Sequence, residues 1–329
     1  MLYAGTSSTI GIIYFIILNK FNINYIYNSY NIFNNKVKMI MTWGQSAVVN
    51  IYKRYIATQR LNARDLMNIY ILGLLEGNGY FSVNKKGKYI MYNIGIELSI
   101  KDIKLLYKIK KHLGVGTIII RKSKVYEEYI ETAIYRIKDK NHIKNIIIPL
   151  IDKYPLFTNK YYDYLYLKNC ICSKRANEPW GGSNNNLIFY DTLTEYKRPN
   201  EYLQVENILK SYHFPIWLIG FIEAEGYFSI YKTKHYQDVA CFEISQSNNF
   251  NIIEAIKIYF EITSKVYKDK TNNFIIKTTS SKCIQNVINK LHKTPIKLQG
   301  LKKVNYLIFL NKLRQIPRYK DKLIIPNIY

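Results

Sequence analysis

The sequence has few cysteines, few acidic residues and no long hydrophobic run. Its four cysteines do not form the paired C-x-x-C clusters that a structural zinc site needs, and the lack of a disulfide framework indicates a reducing compartment. The five histidines are scattered, with no H-E-x-x-H spacing for a catalytic zinc. The apolar run Ile10–Leu18 is about half of the roughly 20 residues that a membrane span needs, so we expect no membrane partner.

The shortage of acidic residues leaves the chain strongly basic. There are 48 Lys and Arg residues against 23 Asp and Glu residues, which gives a formal net charge of +25 and a pI near 9.6. Hydrophobic residues make up 48% of the 329, so the chain can bury a core, and its length allows about two domains of roughly 150 residues. Because so large an excess of positive charge repels itself, we predict a nucleic-acid partner rather than mere solubilisation.

The composition is also biased toward Ile, Asn, Lys and Tyr, and Tyr alone occurs 32 times. These four amino acids have A/T-rich codons, which indicates an A/T-rich genome such as that of an organelle. The first residues show neither a secretory signal nor an Arg-rich amphipathic presequence. A protein made inside an organelle needs no transit peptide, so the two observations agree.

A segment of the sequence occurs twice. Residues 71–82 read Ile-Leu-Gly-Leu-Leu-Glu-Gly-Asn-Gly-Tyr-Phe-Ser, and residues 218–229 read Leu-Ile-Gly-Phe-Ile-Glu-Ala-Glu-Gly-Tyr-Phe-Ser. Each position of the first copy lies 147 residues before its counterpart, as Gly73 does before Gly220. Chance does not produce so many matches in one register, so the chain contains a duplicated unit.

Each copy begins the same succession of predicted elements. An apolar helix, Leu66–Glu76 or Pro215–Glu223, is followed by two strands, a helix, two more strands and closing helices, an αββαββα order in each half. Pro215 suits the first helical position. Gly79 and Gly226 are placed to end the two helices in left-handed caps.

The repeat also predicts the domain boundaries. The stretch between the copies is rich in Gly, Pro, Asn and Ser, which is typical of a linker. The first 60 residues match neither half. We predict an appendage of unknown structure (1–60), a first half (61–172), a linker (173–204) and a second half (205–329).

The duplicated helices are apolar on all sides, which predicts that they are buried on all sides. Small residues at Gly73, Gly77, Gly220 and Ala224 would let two helices approach closely, so we expect the pair to pack together between the halves. Glu225 stands at the C-terminal end of its helix, where the macrodipole disfavours a negative charge. That placement suggests a ligand for a cation.

The motifs at 71–79 and 218–226, with matching elements after each, resemble those of the LAGLIDADG homing endonuclease and maturase family over about residues 62–314. The resemblance implies an α+β fold of two pseudo-symmetric αββαββα halves, with saddle-shaped antiparallel sheets packed through two central motif helices. It also implies a monomer with internal pseudo-two-fold symmetry. For an intron-encoded protein of this type, it implies the mitochondrial matrix.

In this family the acidic residue before the last glycine of each motif binds a divalent cation, usually Mg²⁺, over the scissile phosphates. That position is Glu225 in the second half but Asn78 in the first, and an amide brings no charge to hold the ion. Glu76 cannot replace it, because two residues along a helix is a rotation of about 200°. We expect Glu76 and Glu223 to form hydrogen bonds near the helix ends instead.

The family also places a lysine near each catalytic centre. Lys160, five residues past Pro155, and Lys302 are the matching candidates, either to position water and neutralise phosphate or as ordinary phosphate contacts. Members lay their sheets into adjacent major grooves, which needs basic and polar residues along the strands. The candidates for this contact are Lys85, Lys86, Lys88, Arg121, Lys122, Arg136 and Lys138 in the first half and Lys232, Lys234, Lys265, Lys268 and Lys277 in the second.

Two functions remain open at this stage. A site-specific, Mg²⁺-dependent DNA endonuclease that promotes homing of its own intron needs carboxylates at both motif ends. A maturase that stabilises group I intron RNA for splicing needs only the scaffold and the basic surface. Asn78 favours the maturase, or a phosphodiester hydrolase of weakened or strand-nicking activity that uses Glu225. The expected partners are DNA at an intron-insertion site, group I intron RNA, or both, and a nuclear-encoded splicing cofactor is left open.

Overall fold

The computed structural model describes residues 61–86, 89–125, 128–172, 203–234 and 237–326, all within one compact unit over residues 60–329. The predicted appendage (1–60) and residues 173–202 of the predicted linker lie outside the described residues. No helix in the described part is long and apolar enough to cross a membrane.

The first half begins with the first motif helix, α1 (Ala63–Asn78). Asn62 caps this helix, because its side chain accepts a hydrogen bond from the backbone nitrogen of Asp65 at 2.8 Å. The rest of the half follows as β1 (Gly79–Lys86), β2 (Tyr89–Ser99), α2 (Ile103–Leu113), β3 (Thr117–Val125), β4 (Glu128–Ile137), α3 (Lys140–His142), a π-helical segment (Ile143–Ile147), α4 (Ile148–Lys153) and α5 (Lys160–Cys172).

The second half repeats this order. Its motif helix is α7 (Phe214–Glu225), which begins one residue before the predicted start at Pro215 and has that proline in its first turn. The elements of this half are α6 (Val205–Lys210), α7, β5 (Gly226–Lys232), β6 (Asp238–Ser247), α8 (Phe250–Phe260), β7 (Tyr267–Lys268), β8 (Asn273–Thr278), α9 (Ser281–Lys293), α10 (Leu301–Gln315) and α11 (Pro317–Lys320).

Each half contains one antiparallel sheet of four strands, in the order β1-β2-β4-β3 and β5-β6-β8-β7. Residues alternate between the faces of each strand: Phe81 and Val83 of β1 are buried on the helix side, whereas Ser82 between them points outward. One cluster of buried apolar side chains runs through both halves, and α1 and α7 pack against each other within it. The predicted α+β fold of two similar halves is therefore confirmed.

The ends of the motif helices differ from the prediction. Both helices run two residues further, to Asn78 and Glu225. The predicted left-handed caps are wrong: Gly79 has φ −106° and ψ 175°, and Gly226 has φ −73° and ψ 147°, so both are extended and lead directly into a strand. The glycines are explained by space instead, because a Cβ on Gly79 would stand 2.4 Å from the carbonyl oxygen of Leu75.

One strand is shorter than its sequence pattern indicates. The run Ser264–Lys268 predicts a strand, but β7 covers only Tyr267–Lys268. The hydroxyl of Ser264 donates a hydrogen bond to the carbonyl of Lys277 at 2.6 Å. A side chain thus replaces the backbone pairing that would have extended this edge strand.

Candidate functional site

The two motif helices touch backbone to backbone. A Cβ built on Gly73 would stand 1.9 Å from the carbonyl oxygen of Trp217, and a Cβ on Gly220 would stand 1.9 Å from that of Tyr70. Tyr70 and Trp217 lie 147 residues apart, so the contact repeats with the period of the motif. Glycine is required at both positions because no side chain fits into so close a crossing.

Glu76 of α1 is fully buried and is held by donors from both halves. The backbone nitrogens of Phe157 and Thr158, in its own half, donate hydrogen bonds at 2.9 and 2.5 Å. Trp217 of α7 donates its Nε1 hydrogen to the same carboxylate. Burial raises the pKa of Glu76, and these hydrogen bonds act in the opposite direction.

Glu223 of α7 has the same arrangement with the halves exchanged. The backbone nitrogens of Gln299 and Gly300 donate hydrogen bonds at 2.7 and 3.0 Å, and the Tyr70 hydroxyl of α1 donates one at 2.9 Å. Burial again raises the pKa of the Glu223 carboxyl, and these hydrogen bonds lower it. The two glutamates thus fasten each motif helix to its neighbour and to the turn before the closing helix of its own half.

The expectation that Glu76 and Glu223 form hydrogen bonds near the helix ends agrees with these contacts. The aromatic donors Tyr70 and Trp217 were missed in the sequence. They are different residue types, so the repeat does not reveal them by identity. The available signal was their separation of 147 residues together with their hydrogen-bond donors, the Tyr70 hydroxyl and the Trp217 indole nitrogen.

The ends of the motif helices meet at the position where the family carries its metal-binding acids. Ala224 lies directly against Gly77, because a Cβ on Gly77 would stand 2.2 Å from the Cβ of Ala224. The same built Cβ would stand 3.6 Å from Oε1 of Glu225. Asn78 follows Gly77 as the last residue of α1, and both Asn78 and Glu225 are half-buried. The structure therefore brings the ends of the two motif helices together, with Asn78 as the last residue of one and Glu225 as the last residue of the other.

Lys160 lies in the first turn of α5 and contacts the end of α1. Its ammonium donates hydrogen bonds of 2.7 Å to the carbonyl oxygens of Gly77 and Gly79. A cation at the C-terminal carbonyls of a helix is favoured by the helix dipole. Lys160 is therefore fixed beside Asn78 by backbone contacts.

Lys302 lies in the first turn of α10, the corresponding place in the second half. Burial lowers the pKa of Lys302, and the carboxylates of Glu223, Asp102 and Glu225 raise it. Burial raises the pKa of Glu225, and the positive charges of Lys160 and Lys302 lower it. The two lysines thus lie close enough to Glu225 for their charges to lower its pKa.

The donors at the helix ends suit a divalent cation only in part. Within the described ranges, no group of three or more His, Cys, Asp and Glu residues could hold a metal ion. The available ligands are the carboxylate of Glu225 and the amide oxygen of Asn78. Hard cations such as Mg²⁺ bind oxygen and complete their shell with substrate phosphates. The pair therefore fits such an ion only when a bound polynucleotide supplies the remaining oxygens.

The basic residues predicted for the nucleic-acid surface divide between the two faces of the sheets. Alternation places Arg121, Arg136 and Lys277 on the outward faces. Lys122 and Lys268 have the opposite parity: Lys122 pairs with Glu131 at 2.7 Å, and the ammonium of Lys268 lies 5.5 Å from the centre of the Phe274 ring. The remaining described candidates, exposed at strand ends and in loops, are Lys85, Lys138, Lys232, Lys234 and Lys265. The Lys86 side chain and Lys88 lie outside the described part.

The outward face of the second sheet is aromatic as well as basic. Tyr227, Tyr231 and Tyr267 expose 58%, 43% and 47% of their surface on this face. Lys277 forms an ion pair with Glu243 at 3.2 Å, and its ammonium lies 5.8 Å from the centre of the Tyr231 ring. Aromatic and cationic side chains together are the usual means of contacting bases and phosphates.

Two glycine-bearing helices between two sheets of the same strand order define a double-motif endonuclease fold. The family model described as LAGLIDADG endonuclease matches residues 71–171 and 218–313, so the chain belongs to the LAGLIDADG endonuclease family.

Curated relatives of the chain are named as intron-encoded endonucleases. It is 29% identical over 267 residues to the probable intron-encoded endonuclease Cox1-I1b of Schizosaccharomyces pombe, which covers 77% of this chain and 66% of the relative. It is 28% identical over 252 residues to the probable intron-encoded endonuclease aI3 of Dictyostelium citrinum, with 75% of this chain and 94% of the relative covered. A third relative, aI3 of Debaryomyces hansenii, is matched over only 38% of its length.

Solved structures of the same fold include protein–DNA complexes. The LAGLIDADG homing endonuclease I-GzeII, crystallised with its DNA target, matches with a TM-score of 0.61 at 20% identity, covering 78% of this chain and 92% of that one. I-SmaMI, bound to uncleaved DNA in the presence of calcium ions, matches with a TM-score of 0.58 at 24% identity, covering 80% and 97%. At these identities the likeness shows the fold.

Proposed function

We propose that the protein is an intron-encoded, nucleic-acid-binding protein of endonuclease descent that acts as a maturase in the splicing of group I intron RNA. The observation that carries the proposal is Asn78 at the end of α1, in the place of a carboxylate. The scaffold around it is complete, from the glycine crossing to the glutamate contacts. Only one acid, Glu225, remains at the common end of the motif helices.

The remaining features suit a binding function. Binding a polynucleotide requires positive charge and polar contacts, whereas hydrolysis of two strands requires charged metal ligands on both sides. The net charge of +25 and the outward-facing Arg121, Arg136 and Lys277 supply the first requirement. The replacement of an acid by Asn78 removes half of the second. DNA targets in the complexes of structural neighbours support a duplex as a further ligand of the same sheets.

A direct test compares two probes in filter binding: the transcript of the intron that carries this reading frame, and the DNA duplex of the intronless exon junction. We expect the transcript to bind more tightly than an unrelated RNA of equal length and to splice faster with the protein present. Glu225→Gln should leave this acceleration intact, because splicing would not use the carboxylate. A transcript that binds no better than the unrelated RNA contradicts the maturase assignment.

A second function is favoured by the surroundings of Glu225. This carboxylate is half-buried and lies within the electrostatic reach of Lys160 and Lys302. These features support a Mg²⁺-dependent homing endonuclease whose cleavage is confined to one strand. Glu225, with the amide oxygen of Asn78, would hold the cation. A bound divalent cation would lower the pKa of a water molecule and neutralise charge on the scissile phosphate.

The side chains of this chain have separate roles in that reaction. Glu225 provides the negative charge that retains the cation. Lys302, whose pKa is lowered by burial, is placed to contact phosphate or an attacking water beside Glu225. Lys160 is held by the carbonyls of α1 and keeps positive charge at the half that lacks an acid. The phosphodiester bond would break at the strand facing Glu225.

Nicking of a supercoiled plasmid that carries the exon junction tests the second function. With Mg²⁺ we expect open-circular product to form faster than linear product, and Glu225→Gln to abolish both while binding is retained. Formation of open circles at the same rate by Glu225→Gln contradicts this assignment. For either function we propose that the protein acts in the mitochondrial matrix as a monomer with internal pseudo-two-fold symmetry. In support, one relative is named as an intron-encoded endonuclease and another as a mitochondrial protein.

A further inference from the structure

The helix α2 covers the inner side of the first sheet and leaves its other side to solvent. Leu105, Leu106 and Ile109 are buried in the core between α2 and strands β2, β3 and β4. The outward face of the sheet, with Arg121 and Arg136, lies on the opposite side. The exposed side of α2 and the predicted duplex-binding face are therefore separated by the thickness of the sheet and the helix.

Four exposed lysines line this outer side of α2 and the turn before it. Lys101, Lys104, Lys108 and Lys111, which we call the α2 lysine stripe, follow the i, i+3, i+7, i+10 spacing of one helix face. At 1.5 Å per residue the stripe is about 15 Å long. Among the described residues no carboxylate lies within 4.0 Å of any of the four ammonium groups.

Arg64 of the first motif helix, α1, adds a further positive charge beside the stripe. His112 of α2 shares a hydrogen bond of 2.8 Å with Asn68 of α1, which fixes the two helices side by side. Burial lowers the pKa of His112, and the positive charges of Arg64 and Lys108 lower it further. Arg64 is exposed, so it extends the charged surface beyond α2.

The fold of the repeat does not require these lysines. In the second half, α8 lies 147 residues later and buries Ile252, Ile253 and Ile256 at the positions of Leu105, Leu106 and Ile109. The apolar face is thus repeated in register. The positions of Lys104, Lys108 and Lys111 are occupied in α8 by Asn251, Ala255 and Ile258.

The outer side of α8 is covered by other residues, whereas the outer side of α2 is exposed. The short helix α6 packs on α8, Ala255 is fully buried, and Asn251 donates a hydrogen bond to the carbonyl of Leu203 at 3.0 Å. The one lysine within α8, Lys257, pairs with Glu254 at 2.6 Å. In the part of the chain that the structure describes, only the half that carries Asn78 presents a row of lysines at this position with no carboxylate within 4.0 Å of their ammonium groups.

We propose that the α2 lysine stripe is a second nucleic-acid site, which binds the sugar–phosphate backbone of folded RNA. A nucleic-acid strand carries one charge per about 3.4 Å of helix axis, so the stripe can meet about four phosphates of one strand. A straight duplex lying on the sheets cannot reach the far side of the half. A folded RNA presents several backbone segments in different directions and can contact both surfaces. The inference rests on the proposed maturase function and locates the surface that it uses.

The test removes three charges from the stripe and compares them with three charges removed elsewhere. The stripe variant is Lys104→Gln, Lys108→Gln and Lys111→Gln. The control is Lys282→Gln, Lys293→Gln and Lys312→Gln, which are exposed lysines of α9 and α10, so both variants have the same net charge. The probes are the intron transcript and the exon-junction duplex, each bound over a range of salt concentrations.

We expect the stripe variant to bind the transcript about tenfold more weakly, with the slope of log K against log salt smaller in magnitude by about 2, as loss of three phosphate contacts predicts. The stripe variant should bind the duplex as tightly as the unaltered protein does. The control variant should bind both the transcript and the duplex as tightly as the unaltered protein does. In addition, the transcript should still bind the unaltered protein saturated with duplex. Equal losses in the two variants, or a stripe variant that loses duplex binding to the same extent, overturn the proposal.

The experiment separates failure of this site from failure of the function. A protein that prefers the intron transcript but is unaffected by the stripe substitutions, and from which duplex displaces all RNA, contradicts the second site and leaves the maturase function standing. A protein with no preference for the transcript contradicts both.

Discussion

Glu225 lies beside Gly77, the residue before Asn78: a Cβ on Gly77 would stand 3.6 Å from its Oε1 atom. The two motif helices therefore end together, and the acid of one faces the amide end of the other. The convergence depends on the backbone contacts at Gly73 and Gly220 further up the helices. The backbone contacts are the same in both halves, whereas the side chains at the helix ends differ: one is an amide and the other a carboxylate.

Gly73→Ala should destabilise the fold strongly, because the added Cβ would lie 1.9 Å from a backbone oxygen that cannot move alone. We expect a loss of about 3 kcal/mol, at the upper end for overpacked sites. Gly114→Ala is the comparison: this glycine has φ +74° and open space around it, so only about 1 kcal/mol of backbone strain is expected. Urea unfolding measures both, and equal losses would show that the helices do not cross this closely.

Trp217→Phe should cost about 1–3 kcal/mol, since it keeps an aromatic side chain, although a smaller one, but removes a donor from the buried Glu76. Tyr70→Phe removes the corresponding donor from Glu223 and should have a similar effect. Tyr107→Phe serves as the control, because this hydroxyl belongs to a side chain that is 55% exposed. The free energy of unfolding of each variant is measured by denaturant titration. If Trp217→Phe and Tyr70→Phe lose no more free energy of unfolding than Tyr107→Phe, the hydrogen bonds do not stabilise the fold.

The stability difference between the protein and Glu223→Gln should depend on pH. Burial raises the pKa of Glu223 above its ordinary value of 4.5, so the folded state binds this proton more tightly than the unfolded state. The stabilisation from that proton is full below pH 4.5 and is lost as the pH rises through the folded pKa. Glutamine does not titrate, so the advantage of Glu223 over Gln should shrink as pH rises. Thermal unfolding between pH 4 and pH 8 would show this, and a constant difference contradicts the shift.

Lys160→Met should destabilise the protein more than Lys302→Met. Lys160 loses two hydrogen bonds to carbonyls at the end of α1, and charged hydrogen bonds are worth about 1.5–3 kcal/mol each. Lys302 acts on its surroundings through charge, and burial already disfavours that charge. Chemical denaturation of the two variants makes the comparison. If the two variants lose the same free energy of unfolding, the hydrogen bonds of Lys160 to the end of α1 do not stabilise the fold.

Much of the fold could be predicted from the repeat. The 147-residue period, the small residues at the helix crossing and the αββαββα order follow from apolar periodicity and repeated letters. The ends of the motif helices could not be predicted as easily. Gly79 suggested a left-handed cap, but the decisive factor was the lack of room for a Cβ beside Leu75. That distance depends on the packing of the whole half.

The candidate site could be predicted only in part from the sequence. Asn78 and Glu225 were predicted from the motif, and Lys160 and Lys302 from the family resemblance, whereas the donors to the buried glutamates were not predicted. Tyr70 and Trp217 reach the opposite helix only because the two copies pack face to face, a relation between segments 147 residues apart. Strand parity also changed the picture of the basic surface. The side of a strand on which Lys122 lies became clear only from its pairing register with β4.

The role of Asn78 is measured by the cleavage of a supercoiled plasmid that carries the exon junction, with Mg²⁺, by the Asn78→Asp variant. Restoring a carboxylate opposite Glu225 should raise the rate of linear product by at least about tenfold, because a charged ligand returns to the metal site. Asn78→Ala, whose methyl side chain offers no ligand to a cation, should show no such gain, and all three proteins should bind the duplex equally. Efficient double-strand cleavage by the protein with Asn78 in place, or no gain in Asn78→Asp, would contradict the account.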